Sequence, residues 1–208
     1  MSFERGKQRD VTESAARVDK AAVLRSAALG AGSFAVTYVL TFLVWTQMEL
    51  PESNSVQDLL LRGAVALIRA NVPDWMVTGM LVYNVHYVDL FYDGRLIAGY
   101  VNVFDFAGGG LITLVHLVPP LLLFGAGFLA ARTTGLAGTA STAATSGALV
   151  FAGYLLLVLI SAPLFAYSAG PASLSVPVVN AVIIAGLVYP VVFGALGGLT
   201  ASLVEQSV

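Results

Sequence analysis

The stretch SAALGAGSFAVTYVLTFLVWTQM, residues 26–48, decides the fold class: it holds 23 residues and no charge. At about 1.5 Å per residue, such a helix crosses a hydrocarbon core of about 30 Å. Trp45 near its end is placed to sit at the far membrane interface. Ser26, Gly30 and Ser33, with Ala28 and Gly32, put small residues at helical spacing, which lets another helix approach closely.

Three further stretches read the same way. A second span is expected at 111–131, closed by Arg132, a third at 146–167 and a fourth at 174–203. The fourth is long enough to tilt, and Pro177 and Pro190 are its expected kink points. Residues 132–145 make a small-residue loop, and Ser168 to Ser173 a tight turn holding Gly170 and Pro171. The expected fold is an all-α integral membrane protein with four transmembrane helices.

Composition agrees. The chain is 58% hydrophobic and 11% charged, against roughly 25% charged residues in a soluble domain. Ten charged residues fall in positions 1–25, ten more between Glu49 and Asp105, and the last 103 residues carry only Arg132 and Glu205. Such a chain has too little polar surface to cover itself in water. The absence of cysteine excludes disulfides, thiolate metal sites and cysteine nucleophiles. A net charge of −2 favours no nucleic-acid partner.

Residues 1–25 form a polar tail of mixed charge, read either as a surface helix or as a disordered lead. Its length argues against a cleavable signal peptide. Seven basic residues (six in the tail, plus Arg132) lie on one side of the spans, and Arg62, Arg69 and Arg95 lie on the other. The positive-inside rule then makes the tail and the 132–145 loop cytoplasmic, with both termini inside. No internal repeat suggests an inverted-repeat transporter.

Residues 49–110 are the expected extracytoplasmic insert. Pro51 to Asn54 reads as a turn. Val56 to Ala70 reads as an amphipathic helix with Asp58, Arg62 and Arg69 on one stripe, ended by Pro73. Leu81 to Tyr92 is rich in β-branched and aromatic residues and is followed by Asp93-Gly94, a hairpin turn signal. Arg95 to Phe104 supplies the second strand of a small β-hairpin lying outside the membrane. The competing reading is a membrane-inserted helix from Trp75 to Phe91, against which Asn84, His86 and Asp89 count. Gly108 to Gly110 form a joint before the second span.

Candidate sites are sparse. His116 lies within the second span, just before Pro119 and Pro120, which free backbone carbonyls one turn earlier. The sharp reading is a permeation or ligand-contacting group. The bland one, which we favour, is a hydrogen-bonded histidine beside bundle-shaping prolines. Asn84, His86 and Asp89 with His116 make a poor zinc set, so no metal or other cofactor is expected. Ser161 with His116 is a remote hydrolytic pairing, and no Gly-x-Ser-x-Gly elbow, His-Glu-x-x-His helix or phosphate loop is present. Gly30, Gly32, Gly186, Gly194 and Gly198 are the expected helix-packing positions, within the chain or toward another chain.

The run Val82-Tyr-Asn-Val-His-Tyr-Val-Asp89, the glycine joint, and Leu114-Val-His-Leu-Val-Pro-Pro through Arg132 resemble a family of uncharacterised four-span membrane proteins of halophilic archaea. The resemblance implies a location and an architecture and no activity. The expected role is a non-enzymatic structural or accessory subunit of a cell-membrane complex, with lipid and other subunits or itself as partners. A small oligomeric permease or channel is the alternative.

Overall fold

The computed structural model describes residues 20–48, 65–66, 68–93, 98–106, 110–169 and 172–206. The expected tail helix, the turn at Pro51 to Asn54, the 56–64 part of the insert helix and the turn residues Gly94, Gly170 and Pro171 lie outside these. Four helices are long and apolar enough to cross a membrane: Lys20–Gln47, Ile112–Thr133, Ala140–Leu164 and Val178–Gln206, spans 1 to 4. Span 1 (α1) is helical from the first described residue, Lys20, and Arg25 within it reaches across to donate to the Thr133 carbonyl at the end of span 2. One end of the bundle therefore holds Lys20, Thr133, Ala140 and Gln206, the near end. The other, far end holds Gln47, Ile112, Leu164 and Val178.

The near half is closed by glycine. A Cβ on Gly30 would overlap the Val150 carbonyl, and one on Gly153 the Ala27 carbonyl, so spans 1 and 3 touch backbone to backbone. Gly127, Gly147 and Gly194 meet in the same way, as do Gly197 with Phe124 and Gly198 with Ala143. Spans 2, 3 and 4 thus approach to the limit their backbones allow. Gly186 lies against Leu155 and Val158, whereas Gly32 and Gly125 face open space.

The far half is held apart by a helix whose last residues, from Leu81, the sequence reading assigns to a strand. α2 (Asp74–Asn84) follows Pro73 and carries Asp74 in its first turn, where a carboxylate complements the helix dipole. Its residues Met80 to Tyr83 are fully buried, against spans 1 and 3. A helix enclosed on every side needs no polar face, so its sequence shows the continuous apolar run that also marks a buried strand. Trp45, two residues before the far end of span 1, is buried: its indole donates to Asp74 Oδ1 at 3.0 Å and lies under the Arg69 guanidinium, 4.5 Å from the ring centroid.

The expected hairpin is part of a larger sheet. β1 (Leu90–Asp93) and β2 (Ala98–Val101) pair antiparallel, with Asp93 opposite Ala98, so four residues and not two connect them. The expected tight turn between spans 3 and 4 is flanked by two strands, β3 (Ala166–Ala169) and β4 (Ala172–Ser175). β4 pairs with β1, giving the order β2-β1-β4-β3. α3 (Val103–Phe106) follows β2.

Both proline-marked spans depart from a regular helix. Span 2 opens as a 3-10 helix, Gly110–Leu117, and becomes α-helical as α4 (Val118–Thr133), with Pro119 and Pro120 in the first turn. There their missing N–H groups are ones the helix leaves unused anyway. Span 3 is α5 (Ala140–Ala148) and α6 (Phe151–Leu164) in series. Span 4 is a short α7 (Val178–Asn180), a π-helical stretch Ala181–Val188, and α8 (Tyr189–Gln206). The wider π turn, closed by Tyr189 N–H on the Ile184 carbonyl, precedes Pro190, whose ring would crowd a regular α turn.

The glycine contacts yield a prediction. Gly194→Ala is expected to destabilise the protein by about 1–3 kcal/mol through overpacking, while Gly125→Ala is neutral or slightly stabilising. Thermal unfolding midpoints in mild detergent check this, and equal midpoints would contradict the backbone contacts.

Candidate functional site

After Asn84 the chain turns back through residues 85–89 into β1, so α2 and β1 form a helix-then-strand hairpin that enters the bundle from its far end. Its tip is deep. The His86 imidazole contacts Tyr154, which lies ten residues before Leu164 and packs edge-on against Phe34, thirteen residues before Gln47. Ten helical residues span about 15 Å.

A turn at that depth leaves backbone groups that neither helix nor sheet satisfies. Four polar side chains attend to them. The Asn84 amide donates to the Val88 carbonyl at 3.0 Å and the Val101 carbonyl at 3.3 Å, and its Oδ1 accepts from Val103 N–H at 3.0 Å. Asn102 donates to the Asn84 carbonyl at 3.0 Å. His86 Nδ1 lies 2.6 Å from the Val82 carbonyl and His116 Nδ1 lies 3.2 Å from the Val85 carbonyl. Because a carbonyl only accepts, Nδ1 is the protonated nitrogen in both rings. The Tyr83 carbonyl takes both the His86 and the Val88 N–H groups, each at 3.0 Å.

That tautomer fixes the next bond. Neutral His86 presents a bare Nε2, so the Tyr154 hydroxyl donates to it across 2.7 Å. Edge-on contacts from Tyr154 and Tyr189 enclose the ring, with centroids at 5.7 and 4.9 Å. Tyr83 makes a second link to span 3, its hydroxyl 2.6 Å from Ser161 Oγ. Asn84 and His86, expected on a hairpin outside the membrane, are therefore fully buried. Tertiary packing, which their local sequence does not encode, puts them there.

The structure does not bring the sequence-predicted residues together as a reactive set. Ser161 is engaged by Tyr83 and not by either histidine. His116 is buried, carries the Tyr87 ring stacked on it at 4.1 Å, and meets Phe104 edge-on. Pro119 is buried and Pro120 half-buried, both at the head of α4. Asp89 is exposed. Among the described residues no group of three His, Asp or Glu side chains is placed to hold a metal ion. Sequence reading missed Tyr154 and Asn102, and takes Tyr83 as one of the exposed aromatics of the insert, whereas it is fully buried. The polar face of span 1 (Ser26, Ser33, Thr37, Thr41) was the available signal, since serines and threonines repeating at helical spacing inside a span mark its bundle-facing side.

His86 lies outside the four spans, and burial pushes its pKa down to about 4; the Val82 hydrogen bond opposes the shift and the nearby His116 adds to it. The folded value lies below the ordinary one, so the folded state disfavours the proton. The contribution to stability is full above pH 6.5 and is lost as pH falls toward 4. It amounts to roughly 3 kcal/mol. The unfolding midpoint is expected to drop over that window, and the drop to shrink in His86→Gln. An equal drop in both proteins would show that another group is responsible. Tyr154→Phe strips the donor from Nε2 and is expected to cost about 1–3 kcal/mol at neutral pH, read from the same midpoints.

No curated protein and no solved structure matches the chain. A family of unknown function, DUF7978, matches residues 5–205. That match covers nearly the whole chain, and the protein belongs to this family.

Proposed function

We propose that the protein is a non-enzymatic structural or accessory subunit of a membrane complex, multi-pass in the cell membrane with both termini cytoplasmic. One observation carries this reading: the polar side chains at the buried turn are spent on the chain's own backbone. Asn84, Asn102, His86 and His116 each hold a carbonyl of the insert, and the four spans carry no carboxylate before Glu205 at the near end. Pumps and coupled carriers use buried carboxylates for their work. Outward, spans 1 and 2 show open small positions at Gly32 and Gly125, and the lipid-facing sides carry large apolar residues such as Leu121, Leu156 and Leu203. These faces suit lipid or the helices of other subunits. A halophilic archaeal source belongs to the same proposal and rests on two lysines in 208 residues and the richness in small apolar residues.

A specific observation favours the alternative, a small oligomeric permease. Irregular backbone at membrane depth is tolerated where it is buried or lines a cavity, and broken helices of this kind recur in transporters. The hairpin tip, the 3-10 start of span 2 and the π stretch of span 4 all lie in the far half.

Purification in mild detergent separates the two. Co-purification of different membrane proteins at fixed stoichiometry is the expected outcome. A homogeneous homo-oligomer, with flux in vesicles reduced at least tenfold by His116→Ala, would overturn the accessory role.

A further inference from the structure

Trp75 is 53% exposed, yet its place is fixed from two sides. Its carbonyl accepts from the Tyr38 hydroxyl of span 1 at 2.7 Å, and its ring meets Phe165, the residue after span 3, edge-on with centroids 6.2 Å apart. Tyr38 stacks on the same Phe165 ring, which lies where a Cβ on Gly79 of α2 would be. Three aromatic rings therefore join α2 to spans 1 and 3. Val39 and Leu164, next in sequence to Tyr38 and Phe165, are exposed as well. An open indole beside large open apolar side chains makes a surface that favours contact with something other than water.

Charge stands just outside it. Asp74 takes the Trp45 indole N–H, and Arg69 lies over the Trp45 ring with one nitrogen on the Met48 carbonyl. Both are exposed, and both precede Trp75 on a segment that α2 carries inward from the far end. At the other end of span 1, Arg25 is exposed and reaches the end of span 2. Twenty residues separate Arg25 from Trp45, about 30 Å of helix, which matches a hydrocarbon core. The exposed residues of span 1 between them are Ala28, Gly32, Ala35, Val36, Val39 and Leu43, without a polar side chain.

We propose that Trp75 is a lipid contact: phospholipid of the far leaflet packs on its ring, with the headgroups level with Arg69 and Asp74 and the acyl chains beside Val39 and Leu164. An indole suits that boundary, since its ring prefers the acyl region and its N–H the headgroups. The order of apolar stripe, aromatic ring and charged pair follows the bilayer normal. A protein partner would impose no such order. The insert then touches the membrane at the first turn of α2 and is not held clear of it in water. This inference rests on the membrane reading of the proposed function.

The chain has two tryptophans and Trp45 is buried, so the fluorescence lost from the parent to Trp75→Phe is the Trp75 signal. In nanodiscs of phospholipid brominated high on the acyl chain, about half of that signal is expected to be quenched, and little of it by aqueous iodide. Bromine near the methyl end should quench it less. Trp75→Phe keeps an aromatic ring against Phe165, so its unfolding midpoint should match the parent. Quenching by iodide and by neither brominated lipid would overturn this inference alone. So would quenching by no agent, the mark of a second protein chain over the ring, or stronger quenching from the methyl end. A chain that elutes apart from the discs would overturn the membrane reading with it.

Discussion

The constraint on which the rest depends is that a peptide group buried inside an apolar helix bundle has no water to bond. Helices meet it by themselves, but the turn at residues 85–89 does not. Four carbonyls in or beside it have a side-chain donor: Asn84 reaches forward to Val88, Asn102 reaches back to Asn84, and the two histidines serve Val82 and Val85. An unpaired buried carbonyl costs about 1–3 kcal/mol. Losing a few of these donors would therefore cost as much as a typical domain's net stability of about 5–15 kcal/mol. The polar residues of the insert are placed by that requirement.

The same constraint explains why the two halves of the bundle differ. In the near half glycines let span 1 meet span 3, and span 4 meet spans 2 and 3, backbone to backbone. In the far half the spans enclose α2, and the sheet joins the insert to the connection between spans 3 and 4 through β1 and β4. Near-half packing fixes the axes. Far-half separation gives the insert its volume. The departures from regular helix, 3-10 in span 2 and π in span 4, fall in the far half, where the helices must bend around an occupant. The His86–Tyr154 and Tyr83–Ser161 bonds then pin that occupant to span 3 at two depths.

Sequence carried four helices long and apolar enough to cross a membrane, because twenty apolar residues in a row have few other uses. It carried Pro73 as a boundary and the β1–β2 pairing after Tyr92. It did not carry α2. Leu81 to Tyr92 contains both the end of a buried helix and a short strand, and β-branched and aromatic residues suit either when every side is covered. Nor did it carry β3 and β4. Strands of four residues have no periodicity to detect, and these owe their place to β1, more than 70 residues earlier in the chain.

The two histidines show why the candidate site was harder to read than the fold. In sequence, His86 and His116 are the natural suspects, since ionisable groups within a membrane protein usually mark function. In the structure each has its Nδ1 proton on a backbone carbonyl, and His86 has its other nitrogen closed by Tyr154. A group so engaged is poorly placed to shuttle protons, because each transfer would break a bond the buried turn requires. Chemistry toward an outside molecule must then come from groups the backbone does not need. At the tip of the hairpin the exposed side chains are Tyr87 and Asp89. Neither is buried, and the left-handed Tyr87 closes the end of α2, with its N–H on the Asn84 carbonyl and the Val88 N–H on the Tyr83 carbonyl.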